Sequence, residues 1–293
     1  MLALLYLLVA PPVFLLGPLA GLLLLSRPST LRESLWLGVS AAWLAIWLWQ
    51  PGAVAAQALR ALGVLATGGF LALSLARPGP IFPRALAATS AAFAGLVVWC
   101  AAFGLGWSRL EAAVGREMGQ ALTAFARQVE LAAGADTAAP FWQAAELARG
   151  WATVVPAVVF VQAVLGLTLG WILHHAIARH PIGERPGPFA GFRFSDQLIW
   201  LPVVGLALTV LSRDALPRDL GANVMLVAIA LYAARGMAIV RSGAGRVGAP
   251  ATTAAAIAAF VFLPFVVGGL TLLGLADTWL DFRRRMATPA TGG

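Results

Sequence analysis

The sequence predicts an all-α polytopic transmembrane helical bundle, and three observations lead there. Hydrophobic residues make up 60% of the 293-residue chain and charged residues only 11%, too few to clothe a soluble core. The apolar residues run on in stretches of roughly 16 to 25, near the ~20 needed to cross a ~30 Å hydrocarbon layer as helix. None of these runs alternates polar with apolar as a barrel strand must, so helix is the only way to satisfy the backbone in lipid.

Eight spans are predicted, at 2–25, 34–49, 53–76, 85–106, 151–178, 197–212, 221–241 and 252–276. The first carries no basic leader and no small-x-small cleavage site, so it reads as a retained helix, kinked or partly re-entrant at Pro11-Pro12 and Pro18. Gln50-Pro51-Gly52 joins the second and third spans tightly enough to make them a hairpin, and Arg60, in the first turns of the third, is expected to snorkel to the interface. Between the fourth and fifth spans, residues 108–134 read as an amphipathic extramembrane helix. Ser108 and Glu111 form an S-x-x-E capping box and Gly134 supplies the stop. Leu110, Val114, Met118, Leu122, Phe125, Val129 and Ala132 make its apolar stripe, and Arg116, Glu117, Gln120, Arg127 and Glu130 are among its polar residues. A short helix over 140–150, starting at Pro140, leads into the fifth span. Residues 1–285 are read as one membrane domain and 286–293 as a disordered tail. Gly17-x-x-x-Gly21 and Gly166-x-x-x-Gly170 permit close helix packing.

All 20 basic residues are Arg, and the net charge of +8 fits arginines at membrane boundaries better than nucleic-acid binding. With eight spans, Arg27, Arg32, Arg77, Arg84, Arg179, Arg185, Arg193, Arg241 and Arg246 share one side. Arg109, Arg116, Arg127, Arg149, Arg213, Arg218 and Arg283 to Arg285 share the other. The two sides balance until the long 107–150 connection is discounted, which favours both termini outside, although Arg283-Arg284-Arg285 suits the cytoplasm better.

Chemistry-bearing residues are few. Arg235 lies deep in the seventh span with Tyr232 three residues before it on the same face and Asn223 twelve before it, about 120° round the helix. With Asp196, these make a candidate solute-binding set; the alternative is interhelical hydrogen bonding, with Arg235 reaching Asp277 or another carboxylate. His174, His175 and His180 lack the i, i+4 spacing of a helical metal pair and read as boundary residues. Cys100, the only cysteine, excludes an intrachain disulfide. No catalytic motif, P-loop or acid–base pair occurs, so the reading is of a protein that is no enzyme and needs no cofactor or metal. Asp277 and Asp281, Trp279 and Arg283, Arg284 and Arg285 form a closing segment suited to docking lipid or a partner at the interface.

Three segments carry a family resemblance. Phe192-Arg193-Phe194-Ser195-Asp196-Gln197-Leu198-Ile199-Trp200-Leu201-Pro202 opens a span, Tyr232-Ala233-Ala234-Arg235-Gly236-Met237-Ala238 sits within one, and Gly274-Leu275-Ala276-Asp277-Thr278-Trp279-Leu280-Asp281-Phe282-Arg283-Arg284-Arg285 closes the chain. In this order they resemble the YybS-like family of bacterial membrane proteins, a domain of unknown function (2232). The family more often has Gln where Arg235 stands. The resemblance implies a multi-pass protein of the bacterial inner membrane. Its layout is similar to the substrate-binding subunits of energy-coupling-factor transporters, which implies a transport-related subunit that takes a small solute and borrows a separate membrane or ATPase module. The alternative is a scaffold without a solute, recruiting partners through the 108–134 helix and the basic C-terminal segment.

Overall fold

The computed structural model describes residues 2–76, 79–104, 106–243, 262–280 and 282, and helix dominates throughout. The helices are α1 Leu2–Val9, α2 Val13–Leu25, α3 Leu31–Trp49, α4 Val54–Ala76, α5 Ile81–Ala102, α6 Trp107–Ala133, α7 Ala135–Trp151, α8 Val155–Ile177, α9 Trp200–Leu211, α10 Ala215–Gly243 and α11 Leu263–Leu280. Five helical segments are long and apolar enough to cross a membrane: Val54–Ala76, Ile81–Ala102, Ala152–Ile177, Ala215–Gly243 and Leu263–Leu280. Their lipid-type composition persists on the outside, where large apolar side chains such as Leu165, Val240 and Leu272 are exposed. Residues 252–261 of the expected last span lie outside the described residues.

The chain forms two compact units, residues 1–186 and 187–293. The first is built around α2, which is buried on nearly every side. The expected first span is two helices, because the Pro11-Pro12 pair removes two backbone donors in succession. Gln162 of α8 mends the break. Its Nε2 donates to the carbonyl of Val9 at 2.9 Å, and Tyr6 Oη donates to the Gln162 carbonyl at 2.8 Å. Broken backbone in an apolar setting persists only where such partners are supplied. Pro18 sits inside α2 without ending it.

Both glycine pairs serve this unit's interior. A Cβ on Gly170 would lie 2.9 Å from Pro18 Cγ and one on Gly17 2.6 Å from Thr67 Oγ1, so the pairs bring α8 and α4 onto α2. Helix α3 packs chiefly on α2. Arg60 folds back toward its own helix start, 5.8 Å from the Trp47 ring centroid and beside Gly52.

Three helix ends differ from expectation. Helix α6 starts at Trp107 behind Gly106 with no side-chain cap, so Ser108 is already inside it and the Ser108–Glu111 box does not form. A capping box forms instead on α3, where Thr30 Oγ1 accepts from Glu33 N and Glu33 Oε2 accepts from Thr30 N at 2.8 Å. Helix α7 begins at Ala135, five residues before Pro140, which lies inside it. As the sixth residue of α7, Pro140 lacks the N–H that would bond to the Asp136 carbonyl, and the helix continues past that single missing bond. Gly134, at φ +90°, ends α6 as expected.

Glu33 ties the unit together at its boundary. Besides capping α3, the buried carboxylate accepts from Ser29 N at 2.7 Å and from Arg179 N just beyond α8. Those backbone donors, Arg179 first and then Ser29, hold its carboxyl down at about 2 against the opposing effect of burial. A lowered carboxyl contributes stability above its unfolded value near 4.5 and loses it as pH falls toward 2. Thermal unfolding followed between pH 6 and pH 2.5 is therefore expected to weaken below about pH 4.5, and Glu33→Gln to flatten that decline while lowering stability at neutral pH.

Candidate functional site

In the second unit the polar residues converge on Arg235. Helix α10 carries it inward, and Gly236 beside it lets α11 approach: a Cβ there would lie 2.8 Å from the carbonyl carbon of Leu270. Gly274 does the same from the other side, with a Cβ 2.9 Å from Gly236 N. That approach sets Asp277 against the guanidinium. Arg235 Nε donates to Asp277 Oδ2 at 3.0 Å, and Nη1 donates to Asp196 Oδ1 at 2.9 Å. Arg235 and Asp277 are buried, at 3% and 2% exposure. The Asp196 side chain, at the start of the 3₁₀ turn before α9, is 68% exposed. Asp277 Oδ1 also accepts from Phe282 N at 3.0 Å, so the carboxylate holds the end of α11 as well.

An aromatic wall completes the cluster. Phe194 lies edge-on to Tyr232 at 5.2 Å, and the Arg235 guanidinium sits 5.4 Å from the Phe194 ring centre. Tyr232 is buried next to Thr278, and neither hydroxyl makes a hydrogen bond of normal geometry. The guanidinium faces two carboxylates, so its charge is satisfied within the protein. Chemically this is an electrostatic clip between α10, α11 and the 3₁₀ turn.

The candidate residues thus separate. Asp196, Tyr232 and Arg235 share one place. Asn223 does not join them: its Nδ2 donates to the Asp219 carbonyl of its own helix at 2.8 Å, three turns away from Arg235. Asp277 proves to be part of the clip, and Trp279 is 69% exposed, as an interfacial anchor requires. Asp281, Arg283, Arg284 and Arg285 lie outside the described residues.

The three histidines do not converge either. His174 Nε2 accepts from Ile182 N at 3.1 Å, so that nitrogen carries no proton, while both nitrogens of His175 face carbonyls, of Trp171 at 3.1 Å and Gly183 at 3.3 Å. With Trp171, whose Nε1 donates to the Glu184 carbonyl at 3.3 Å, they fasten the 178–186 loop over the end of α8. Arg84 covers the Trp171 ring from 4.4 Å. No metal-binding group of three ligands occurs among the described residues.

A second candidate lies in the first unit, under α6. A cavity of about 340 Å³ opens between α4, α5, α6 and the start of α8. Leu59, Leu62, Phe93, Leu96 and Pro156 are among its apolar walls, and Val114 and Met118 of the α6 stripe face it. Two carboxylates, Glu111 and Glu117, also line it, and Glu117 Oε1 accepts from Ala55 N at 3.4 Å. From the sequence, Glu117 belongs to the polar side of α6 and Glu111 to a cap. The signal for their true place was the heptad spacing, since Glu117 follows Leu110 by seven residues and Met118 follows Glu111 by seven, which sets each pair on one line of the helix.

Long apolar helices with lipid-type outer surfaces, closely packed through glycines around buried polar clips, define an integral membrane protein of the multi-pass helical class. The family model described as "Predicted membrane protein (DUF2232)" matches residues 1–278, and the chain belongs to that family. Its match extends across both compact units, well beyond the C-terminal third that carries the resemblance read from the sequence. No curated protein and no solved structure matches the chain.

Proposed function

We infer that this protein binds a small, largely apolar solute in the cavity beneath α6, as a transport-related subunit of the bacterial inner membrane. The observation that carries the reading is the cavity itself. Its volume of about 340 Å³ suits a small molecule, its walls are mostly apolar, and its two carboxylates can orient a ligand through a positive or hydrogen-bond-donating group. The solute site therefore moves away from Arg235, whose guanidinium is already held by two carboxylates. The role is binding without catalysis. Because the sequence holds no P-loop, any ATP-driven step falls to a separate membrane or ATPase module.

The competing scaffold reading rests on the clip in the second unit, which spends that unit's polar groups on structure. A thermal-shift screen of the detergent-purified protein against vitamins, nucleobases, amino acids, apolar amines and metal ions separates the two. A true ligand at a hundred times its Kd is expected to add about 2.7 kcal/mol of stability. The effect should disappear in Val114→Trp, which fills the cavity, and weaken in Glu117→Gln. A folded protein that responds to nothing in the panel would hand the case to the scaffold.

A further inference from the structure

We propose that the other flank of α6 is a binding site for an anionic phospholipid. A second pocket, of about 380 Å³, lies between α6, the end of α5 and the start of α4. Arg109 and Arg116 form its charged wall. They are seven residues apart, so both side chains leave the same line of α6. No carboxylate lines this pocket, and neither guanidinium has an ion-pair partner among the described residues. Two unpaired cations over one recess call for an anion.

The rest of the pocket says which kind. Trp99 and Cys100, near the end of a helix long and apolar enough to span the membrane, form its floor with Val54 of α4. Around that end of α5 the exposed residues Val97, Val98 and Phe103 are wholly apolar, as a lipid-facing surface must be. A free phosphate would meet the guanidiniums and leave this apolar floor unused. A phospholipid uses both, with its phosphate between Arg109 and Arg116 and an acyl chain running down α5. Arginine also suits the role by geometry, since its planar fork takes two phosphate oxygens at once. The site adjoins the solute cavity, with which it shares Ala58 and Leu110 as wall, but its charged groups are its own.

Cys100 supplies the test, because the only cysteine of the chain lies in the pocket wall. The full chain is placed in nanodiscs of phosphatidylcholine alone or with phosphatidylglycerol, and the rate of maleimide labelling at Cys100 is measured. Phosphatidylglycerol should slow labelling at least fivefold, in proportion to its content. Arg109→Gln with Arg116→Gln should abolish that protection at an unchanged melting temperature, while Arg127→Gln, a charge removed elsewhere on α6, should keep it. Equal rates in the two lipids would overturn the proposal. So would protection that survives the double substitution, equal loss in Arg127→Gln, or full protection by inorganic phosphate in phosphatidylcholine discs, which would assign the site to a soluble anion.

Discussion

Asp277→Ala is expected to destabilise the protein by about 3–5 kcal/mol, the cost of stranding a buried charge after its partner is removed. Of these two carboxylates Arg235 would keep Asp196, whose side chain is open to its surroundings and so cannot replace a fully buried counter-charge. The end of α11 would lose the acceptor that holds Phe282 N at the same time. Asp196→Ala should cost far less, about 1 kcal/mol or below, as exposed ion pairs do. Removing both charges together, as Arg235→Met with Asp277→Leu, should recover much of the loss, because a well-packed apolar pair is often as stable as a buried ion pair. Denaturant titration in detergent measures all three. A clip that is merely decorative would show Asp277→Ala and Asp196→Ala within error of each other.

The second large effect belongs to Gly274. Adding one methyl group as Gly274→Ala places a Cβ against the Tyr232 carbonyl and 2.9 Å from Gly236 N, both of them backbone atoms that cannot turn aside. The helices must part, and overpacking of this kind costs about 1–3 kcal/mol before further losses are added. Here the further loss is the clip, since Asp277 lies one turn beyond Gly274 and needs the close approach to reach Arg235. The total is therefore expected to exceed 3 kcal/mol, and its combination with Asp277→Ala to be clearly less than additive. Gly269→Ala on the same helix is the control. No atom of the described residues lies within 4 Å of a Cβ there, so the change should be neutral or stabilise by up to about 1 kcal/mol.

Much of the architecture was legible because lipid leaves so few choices. Continuous apolar runs located α4, α5, α8 and α9 to within about four residues at each end and α10 to within about six, and the amphipathic period of α6 set it apart from them. Gly134 marked its end for the reason glycine usually does, a backbone conformation with positive φ. The pairing of Arg235 with Asp277 could be named as an alternative because so few carboxylates were within reach. What escaped was set by tertiary contact. Ser108–Glu111 and Thr30–Glu33 are the same short pattern, and only the second sits where a helix begins, with Arg179 brought round to complete it. The break after Val9 was visible in Pro11-Pro12, but its repair by Gln162, more than 150 residues away, was not. The cavity is likewise a property of four helices together. Its carboxylates read as surface charge until α4, α5 and α8 close around them.

The proposed solute site lies beneath α6, and not at the polar clip that the sequence first offers. Equilibrium binding of the strongest compound from the screen, measured side by side on wild type, Val114→Trp and Asp196→Ala, tests that most directly. Wild type and Asp196→Ala should bind with the same Kd while Val114→Trp, still folded, binds at least a hundredfold more weakly. Binding that survives in Val114→Trp and is lost in Asp196→Ala would return the site to Arg235 and contradict the account.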